Sequence, residues 1–359
     1  MAFTRTRLCA TVAVMSFKSQ ICKFAAPLLL VGLALPTPAF AQALTESGFQ
    51  SYLQDVSARA RAEGVSDAAI RRVTQGLTMN PRVVELDRAQ PGGPPSAASP
   101  PIAPYLQRHV DPARINRGRA MRDQNAAIVS RVERQYGVPG KIVLAIWGHE
   151  TNYGNYMGDF DLARSLATLA YEGRRRALFE REFISLMKMV DRGVSRDKLY
   201  GSWAGAFGNP QFLPSVYLRI AVDGDGNGDR DLWTSRADTL ASIANYFRDA
   251  GWRTGEPWGV RATIPASFNR SSVASRLNSP SCARVHARHS LWKPVSEWRQ
   301  LGITPMGSIP DSTMATLFEP DGPGTPAYLL TGNYRVILQY NCSNFYALSV
   351  GLLADEIAR

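Results

Sequence analysis

Residues 139–154 read Pro139-Gly140-Lys141-Ile142-Val143-Leu144-Ala145-Ile146-Trp147-Gly148-His149-Glu150-Thr151-Asn152-Tyr153-Gly154. Ile142 to Trp147 is apolar on every face of a helix, which predicts a buried helix over Lys141–Glu150 rather than one laid on a surface. Pro139 suits a first helical position and Gly154 supplies the stop. The helix delivers Glu150 at its C-terminal end. Burial disfavours the carboxylate, and so does the negative end of the helix dipole, so both raise its pKa. A glutamate raised toward neutrality is a general acid. At this point the alternative is an ordinary ion pair with one of the chain's many cations.

Working outward, helical segments dominate the middle of the chain: Ala120–Tyr136, Arg164–Asp191, Pro214–Val222 and Asp238–Ala250, separated by Gly-rich loops. Upstream, Phe49, Leu53 and Val56 share a helical face, and Ser66 before Ala68-Ala69-Ile70 reads as a helix start. Gln90 to Pro104 holds six prolines and reads as a loop. Beyond Trp258 the texture turns to short β-prone pieces, Val260–Ile264, Ala327–Leu330 and Tyr334–Tyr340, before a closing helix from Phe345 to Ala358. The expected fold class is α+β. Its parts are an N-terminal helical region (42–114) containing the proline-rich loop 90–104, a mainly helical core (115–258), and a smaller mixed α/β region (259–359).

With 359 residues, 45% of them apolar and 20% charged, the chain has material for a substantial core, and disordered or collagen-like classes are excluded. Residues 1–41 carry Arg5, Arg7, Lys18 and Lys23 but no acid, then the apolar run Ala25 to Leu35, then Ala39-Phe40-Ala41. This is a signal-peptide pattern, too short to span a membrane, with cleavage expected after Ala41. Cleavage lowers the net charge from +11 to +7 and leaves two cysteines, Cys282 and Cys342. An even count in an oxidising compartment predicts one disulfide. Moderate basicity without a helix-turn-helix, zinc-finger or RNA-recognition signature argues against nucleic acid and for an anionic envelope polymer.

Two further stretches carry chemistry. In Gly201-Ser202-Trp203-Ala204-Gly205-Ala206-Phe207-Gly208-Asn209-Pro210-Gln211-Phe212-Leu213-Pro214, small residues let the backbone approach a ligand, and Gln211 offers a donor and an acceptor to amide-bearing groups. A tight interhelical loop is the competing reading. Asp223-Gly224-Asp225-Gly226-Asn227-Gly228-Asp229-Arg230-Asp231 matches the first half of an EF-hand loop, but Thr234 stands where a bidentate Glu is expected, so any cation is held weakly unless Asp238 or a water completes the shell. Arg174-Arg175-Arg176 reads as a solvated helix face. The four histidines, His109, His149, His286 and His289, show no zinc spacing, and His149 reads as structural.

Ile146–Gly154, Gly201–Pro214, Ala244-Asn245-Tyr246-Phe247 and Tyr340-Asn341-Cys342-Ser343-Asn344-Phe345-Tyr346, in that order, resemble the B-type lytic murein transglycosylases, lysozyme-like enzymes of the bacterial envelope. The resemblance runs from about Leu44 to the C-terminus. It implies a lysozyme-like core with the C-terminal region closing a glycan cleft, Glu150 as sole acid/base, and peptidoglycan glycan strands as the partner. It further implies that Tyr105, Ser202, Gln211, Tyr340, Asn341 and Tyr346 line the cleft. A calcium-binding loop in the family supports a structural Ca²⁺ held among Asp223, Asp225, Asn227, Asp229, Asp231 and Asp238, with no cofactor for the chemistry. The location implied is periplasmic, with no membrane span after cleavage.

Ordinary glycosidases need two carboxylates. No clear second one exists outside the aspartate loop, whereas a lytic transglycosylase uses the 6-hydroxyl of the muramyl residue as an intramolecular nucleophile. A true hydrolase and a non-catalytic glycan-binding protein remain the alternatives, the latter opposed by Glu150 itself.

Overall fold

Hydroxyl side chains start the first two helices: Thr45 Oγ1 accepts from the Gly48 amide at 3.1 Å and Ser66 Oγ from that of Ala69 at 3.2 Å. The computed structural model describes residues 44–90, 100–275, 279 and 282–359. The signal-like segment 1–41 and residues 91–99 of the proline-rich loop lie outside them. Helices α1 (Glu46–Ala62), α2 (Asp67–Thr74) and α3 (Pro81–Arg88) come first. Phe49, Leu53 and Val56 of α1 are all buried, as their spacing predicts. Helix α4 (Ala103–His109) begins inside the proline-rich stretch, with Pro104 in the first turn, where its missing N–H removes no helical bond.

The helix expected over Ala120–Tyr136 is two helices, α5 (Pro112–Gln124) and α6 (Ala126–Tyr136). Buried Asn125 divides them by donating its side-chain amide to the Met121 carbonyl at 2.7 Å, a local bond that competes with the helical ladder. The continuous Arg164–Asp191 helix is likewise broken, after α7 (Gly140–Thr151), into α8 (Leu162–Glu172) and α9 (Arg176–Asp191). Gly173, at φ 96°, makes the left-handed turn between them. Short strands β1 (Phe160–Asp161) and β2 (Tyr200–Gly201) pair antiparallel, and α10 (Pro214–Ile220) and α11 (Arg236–Asp249) follow.

The later part holds a five-stranded sheet. Its strands are β3 (Gly259–Thr263), β4 (Trp292–Pro294), β5 (Thr304–Pro305), β6 (Met314–Phe318) and β7 (Ala327–Leu330), in the antiparallel order β4-β6-β7-β3-β5. Between strands lie α12 (Ala283–His286) and α13 (Val295–Gln300), and the chain closes with α14 (Gly332–Tyr340) and α15 (Asn344–Ala358). Tyr334–Tyr340, expected to be β-prone, is therefore helical. Thr331 caps it through the Asn333 amide at 3.2 Å, and Tyr334, Val336, Ile337 and Leu338 are buried, so packing overrides the residues' preference for strands.

One hydrophobic cluster joins α6, α7, α11, α14 and α15 with Trp258, Phe318 and Tyr328 from the sheet side. A second joins α1, α2, α8, α9 and α10 with Phe207 and Phe212. A third lies under the sheet around Trp298. The arginine triplet is largely solvated, with Arg174 and Arg176 exposed, but it is also paired. Arg174 and Arg175 both pair with the carboxylate of Asp87, which is 1% exposed, and Arg176 lies over the Tyr52 ring, so the triplet ties α3 and α1 to the α8–α9 turn.

Candidate active site

Helix α7 is walled in from Ile142 to Gly148, and Pro139 is its N-cap rather than its first residue. It ends at Thr151, one residue past the expected Glu150. Asn152 (φ 52°) and Tyr153 (φ 61°) are both left-handed before Gly154 is reached. Left-handed backbone costs roughly 1–2 kcal/mol per non-glycine residue, so packing must hold it. Tyr153 is buried, its ring edge-on to Trp147, and its hydroxyl donates to the Arg114 carbonyl at 3.2 Å. Gly148 makes room for that ring, since a Cβ there would fall 2.5 Å from Tyr153 Cζ.

Glu150, on the last turn of α7, is half-buried, and its Oε1 accepts a 2.5 Å hydrogen bond from the Tyr346 hydroxyl. Desolvation pushes its carboxyl up to about 7, opposed only by the Tyr346 bond. Among the described residues no cation acts on it, so the ion-pair reading falls away. Tyr346 sits in the first turn of α15, capped by Ser343 Oγ at 3.3 Å. Burial foremost, then the charge of Glu150, keeps its phenol well above the usual range, so it stays a donor.

Behind this pair stands a column of rings. Tyr105 stacks on His109 at 3.8 Å, His109 lies 5.8 Å from His149, and His149 lies 5.5 Å from Tyr346. Burial lowers His149 to about 3, so it is a neutral ring, and its Nε2 is buried without a partner among the described residues. His109 and His149 thus belong to the surroundings of Glu150, a role the sequence reading missed. The Tyr105/His109 spacing of four on α4 was the available signal.

Of the residues expected to line the cleft, Tyr105, Tyr340 and Tyr346 all lie within electrostatic reach of Glu150. Tyr340 donates to the Pro210 carbonyl at 2.5 Å and meets Tyr246 edge-on at 4.7 Å. Gln211 is left-handed (φ 50°), and its amide nitrogen is spent on the Met157 and Gly208 carbonyls, each at 3.0 Å, leaving Oε1 without a partner among the described residues. Ser202 is absorbed by its own loop, accepting from the Ala206 amide at 3.0 Å. Asn341 is exposed, and no hydrogen bond joins either residue to Glu150. At Gly201 the close neighbour is the chain itself, since a Cβ would fall 2.2 Å from the Ala206 carbonyl oxygen.

Asn209 fastens this loop to α7. Its Oδ1 accepts from Trp147 Nε1 at 2.8 Å, and its Nδ2 donates to the Leu232 and Trp233 carbonyls at 3.1 and 3.0 Å. Those carbonyls follow the aspartate loop. There, Asp223, Asp225 and buried Asp238 bring carboxylate oxygens within 4.8 Å of one another, a donor set suited to a hard cation. Burial, then the charges of Asp225 and Asp223, raises Asp238, so a cation would relieve repulsion. Asp231 stands apart: it accepts from the Trp233 and Thr234 amides and the Thr234 hydroxyl, capping the following turn. Asn227 Oδ1 takes the Asp229 amide at 2.8 Å, and Asp229 is exposed and outside the three-carboxylate group. Elsewhere, Cys282 and Cys342 form a disulfide with Cα atoms 5.8 Å apart, tying the start of α12 to the turn between α14 and α15.

A carboxyl group poised near neutrality among stacked aromatic rings, on a helical core with an antiparallel sheet, defines an acid/base site. The chain belongs to the transglycosylase SLT domain family, whose pattern matches residues 48–355. It is 29% identical over 274 residues to membrane-bound lytic murein transglycosylase B of Escherichia coli K12, covering 74% of this chain and 71% of that protein. Its fold superposes on SltB3 from Pseudomonas aeruginosa, in complex with NAG-anhNAM-pentapeptide, with a TM-score of 0.77 and 39% identity, covering 86% of this chain and 79% of that one. Slt35 of Escherichia coli in complex with calcium matches with a TM-score of 0.68 and 26% identity, covering 88% of this chain and 93% of that one. No helix of the described residues is long and apolar enough to cross a membrane.

Proposed function

We propose that this enzyme cleaves the β-1,4 bond between N-acetylmuramic acid and N-acetylglucosamine in peptidoglycan by lytic transglycosylation, with Glu150 as the single acid and base. The observation that carries the reading is Glu150 itself, desolvated, bonded to Tyr346 and influenced by no second carboxylate. Protonated Glu150 gives its proton to the bridging oxygen as the C1–O bond breaks. The resulting carboxylate, steadied by Tyr346, then takes the proton of the muramyl 6-hydroxyl as O6 bonds to C1. The product is a 1,6-anhydromuramyl end, the proton is restored to Glu150, and no water is consumed. The anhydro sugar in the SltB3 complex supports the same outcome here. Digestion in ¹⁸O-labelled water tests it: anhydro ends free of ¹⁸O are expected, and ¹⁸O-labelled reducing ends would make the enzyme a hydrolase.

The calcium bound by Slt35 supports a structural Ca²⁺ on Asp223, Asp225 and Asp238 in this chain, pinning the loop that Asn209 anchors. The signal-like segment 1–41 and the Cys282–Cys342 bridge support action in the periplasm on glycan strands.

A further inference from the structure

Outside the cleft, a cavity of about 460 Å³ opens where α14 meets the end of α11 and the β4–β6 edge. Its working residues are Arg335, Trp292, Val336, Met314 and Arg253. The Arg335 guanidinium lies 4.4 Å over the Trp292 ring. It has no hydrogen bond or ion pair among the described residues, its Nε is buried without an acceptor, and burial lowers it below the ordinary arginine range with no carboxylate acting on it. Trp292 Nε1 is a second buried donor without an acceptor among the described residues. Arg253 does have a partner, Glu256, which also takes the Gly332 amide, so that carboxylate is committed elsewhere.

Buried polar groups are almost always satisfied, and an unpaired, partly desolvated guanidinium is costly. A guanidinium fork calls for a planar oxyanion, above all a carboxylate. The surrounding wall of Trp292, Val336 and the exposed Met314 calls for a small apolar group attached to it. The same helix α14 ends in Tyr340, on which the charge of Glu150 acts, five residues beyond Arg335, about 7.5 Å along the axis. A peptide of four or five residues, at about 3.3 Å each when extended, bridges that distance.

We infer that this cavity is a carboxylate subsite that takes the free C-terminus of a peptidoglycan peptide stem, with Arg335 and Trp292 Nε1 donating to the carboxylate. The inference rests on the peptidoglycan reading above, because the glycan strand is what brings stems to the protein.

The test is titration of the full-length mature chain with N-acetyl-D-alanyl-D-alanine, its C-terminal amide and the L,L isomer, followed by calorimetry or NMR. The D,D carboxylate should bind, and the amide should bind more weakly by about 10- to 100-fold, the worth of a charge-assisted hydrogen bond. Arg335→Gln should lose the same factor without lowering the melting temperature, because it removes an unpaired guanidinium. Trp292→Phe, which keeps the ring and removes only Nε1, should lose part of it. Equal binding of acid and amide, or no binding, overturns the inference. An L,L preference overturns the wall-peptide assignment in favour of a protein C-terminus. Loss of glycan cleavage in Glu150→Gln with dipeptide binding intact bears on the catalytic reading alone, and the converse bears on this one alone.

Discussion

The Tyr346 hydroxyl donates to Glu150 Oε1 across 2.5 Å, so helix α15 supplies, among the described residues, the one side-chain hydrogen bond of a carboxyl presented 196 residues earlier. This bond opposes the desolvation that raises Glu150. Tyr346→Phe should therefore move the alkaline limb of the pH–rate profile to higher pH, and it should lower the rate by about tenfold, the worth of a charged hydrogen bond. An unmoved or acid-shifted limb would contradict the assigned role.

Glu150→Gln removes the transferable proton and should reduce turnover by about 10² to 10⁴, read from soluble products released from sacculi. It should also stabilise the fold at alkaline pH. The folded carboxyl titrates near 7 against an ordinary 4.5, so the folded state holds the extra proton between those values, and wild-type stability falls as pH rises through that window. The variant should gain up to about 3 kcal/mol at pH 8 and little at pH 4, measured by denaturant melts.

Millimolar calcium should raise the melting temperature of chelator-stripped protein, since a ligand of the folded state stabilises it by mass action. Asp238→Asn should abolish the shift. Asp231→Asn should lower stability yet keep the shift, because that carboxylate serves the backbone of the next turn.

Denatured, unreduced mature protein should titrate no free thiols. Reduction should cost up to about 4 kcal/mol by loop-closure arithmetic for a bridge of 60-residue separation.

Replacing both Arg174 and Arg175 by Ala strands the buried Asp87 carboxylate and should cost about 3–5 kcal/mol. Adding Asp87→Ala to the double variant should recover part of the loss in thermal melts.

What could be read from the sequence was local. The apolar run Ile142–Trp147 announces a buried helix and so points to Glu150, because full burial leaves a signature within a dozen residues. Ser66 marks a helix start through a bond spanning three residues. The helix over Tyr334–Tyr340 was hidden because its aromatic and branched residues answer to distant packing. The column Tyr105, His109, His149 and Tyr346 draws on three helices far apart in the chain, and no spacing records it. Asp231 fits a ligand position by count, yet its oxygens are spent on a turn, which only three-dimensional bonding reveals. The pairing of Arg174 and Arg175 was hidden because their buried partner Asp87 lies across the proline-rich stretch.

Asn209 spends its oxygen on Trp147 and its nitrogen on two carbonyls past the aspartate loop, linking segments 62 and about 23 residues away. The consequence is one of timing. Contacts this distant form only after the intervening chain has been closed into loops, so the catalytic centre exists only once those closures are made. A newly made chain holds its acid, its cleft and its anchoring loop as separate pieces, and none of them has a catalytic environment until all three are joined. An enzyme whose substrate is a load-bearing wall is thereby inert for as long as it is unfinished.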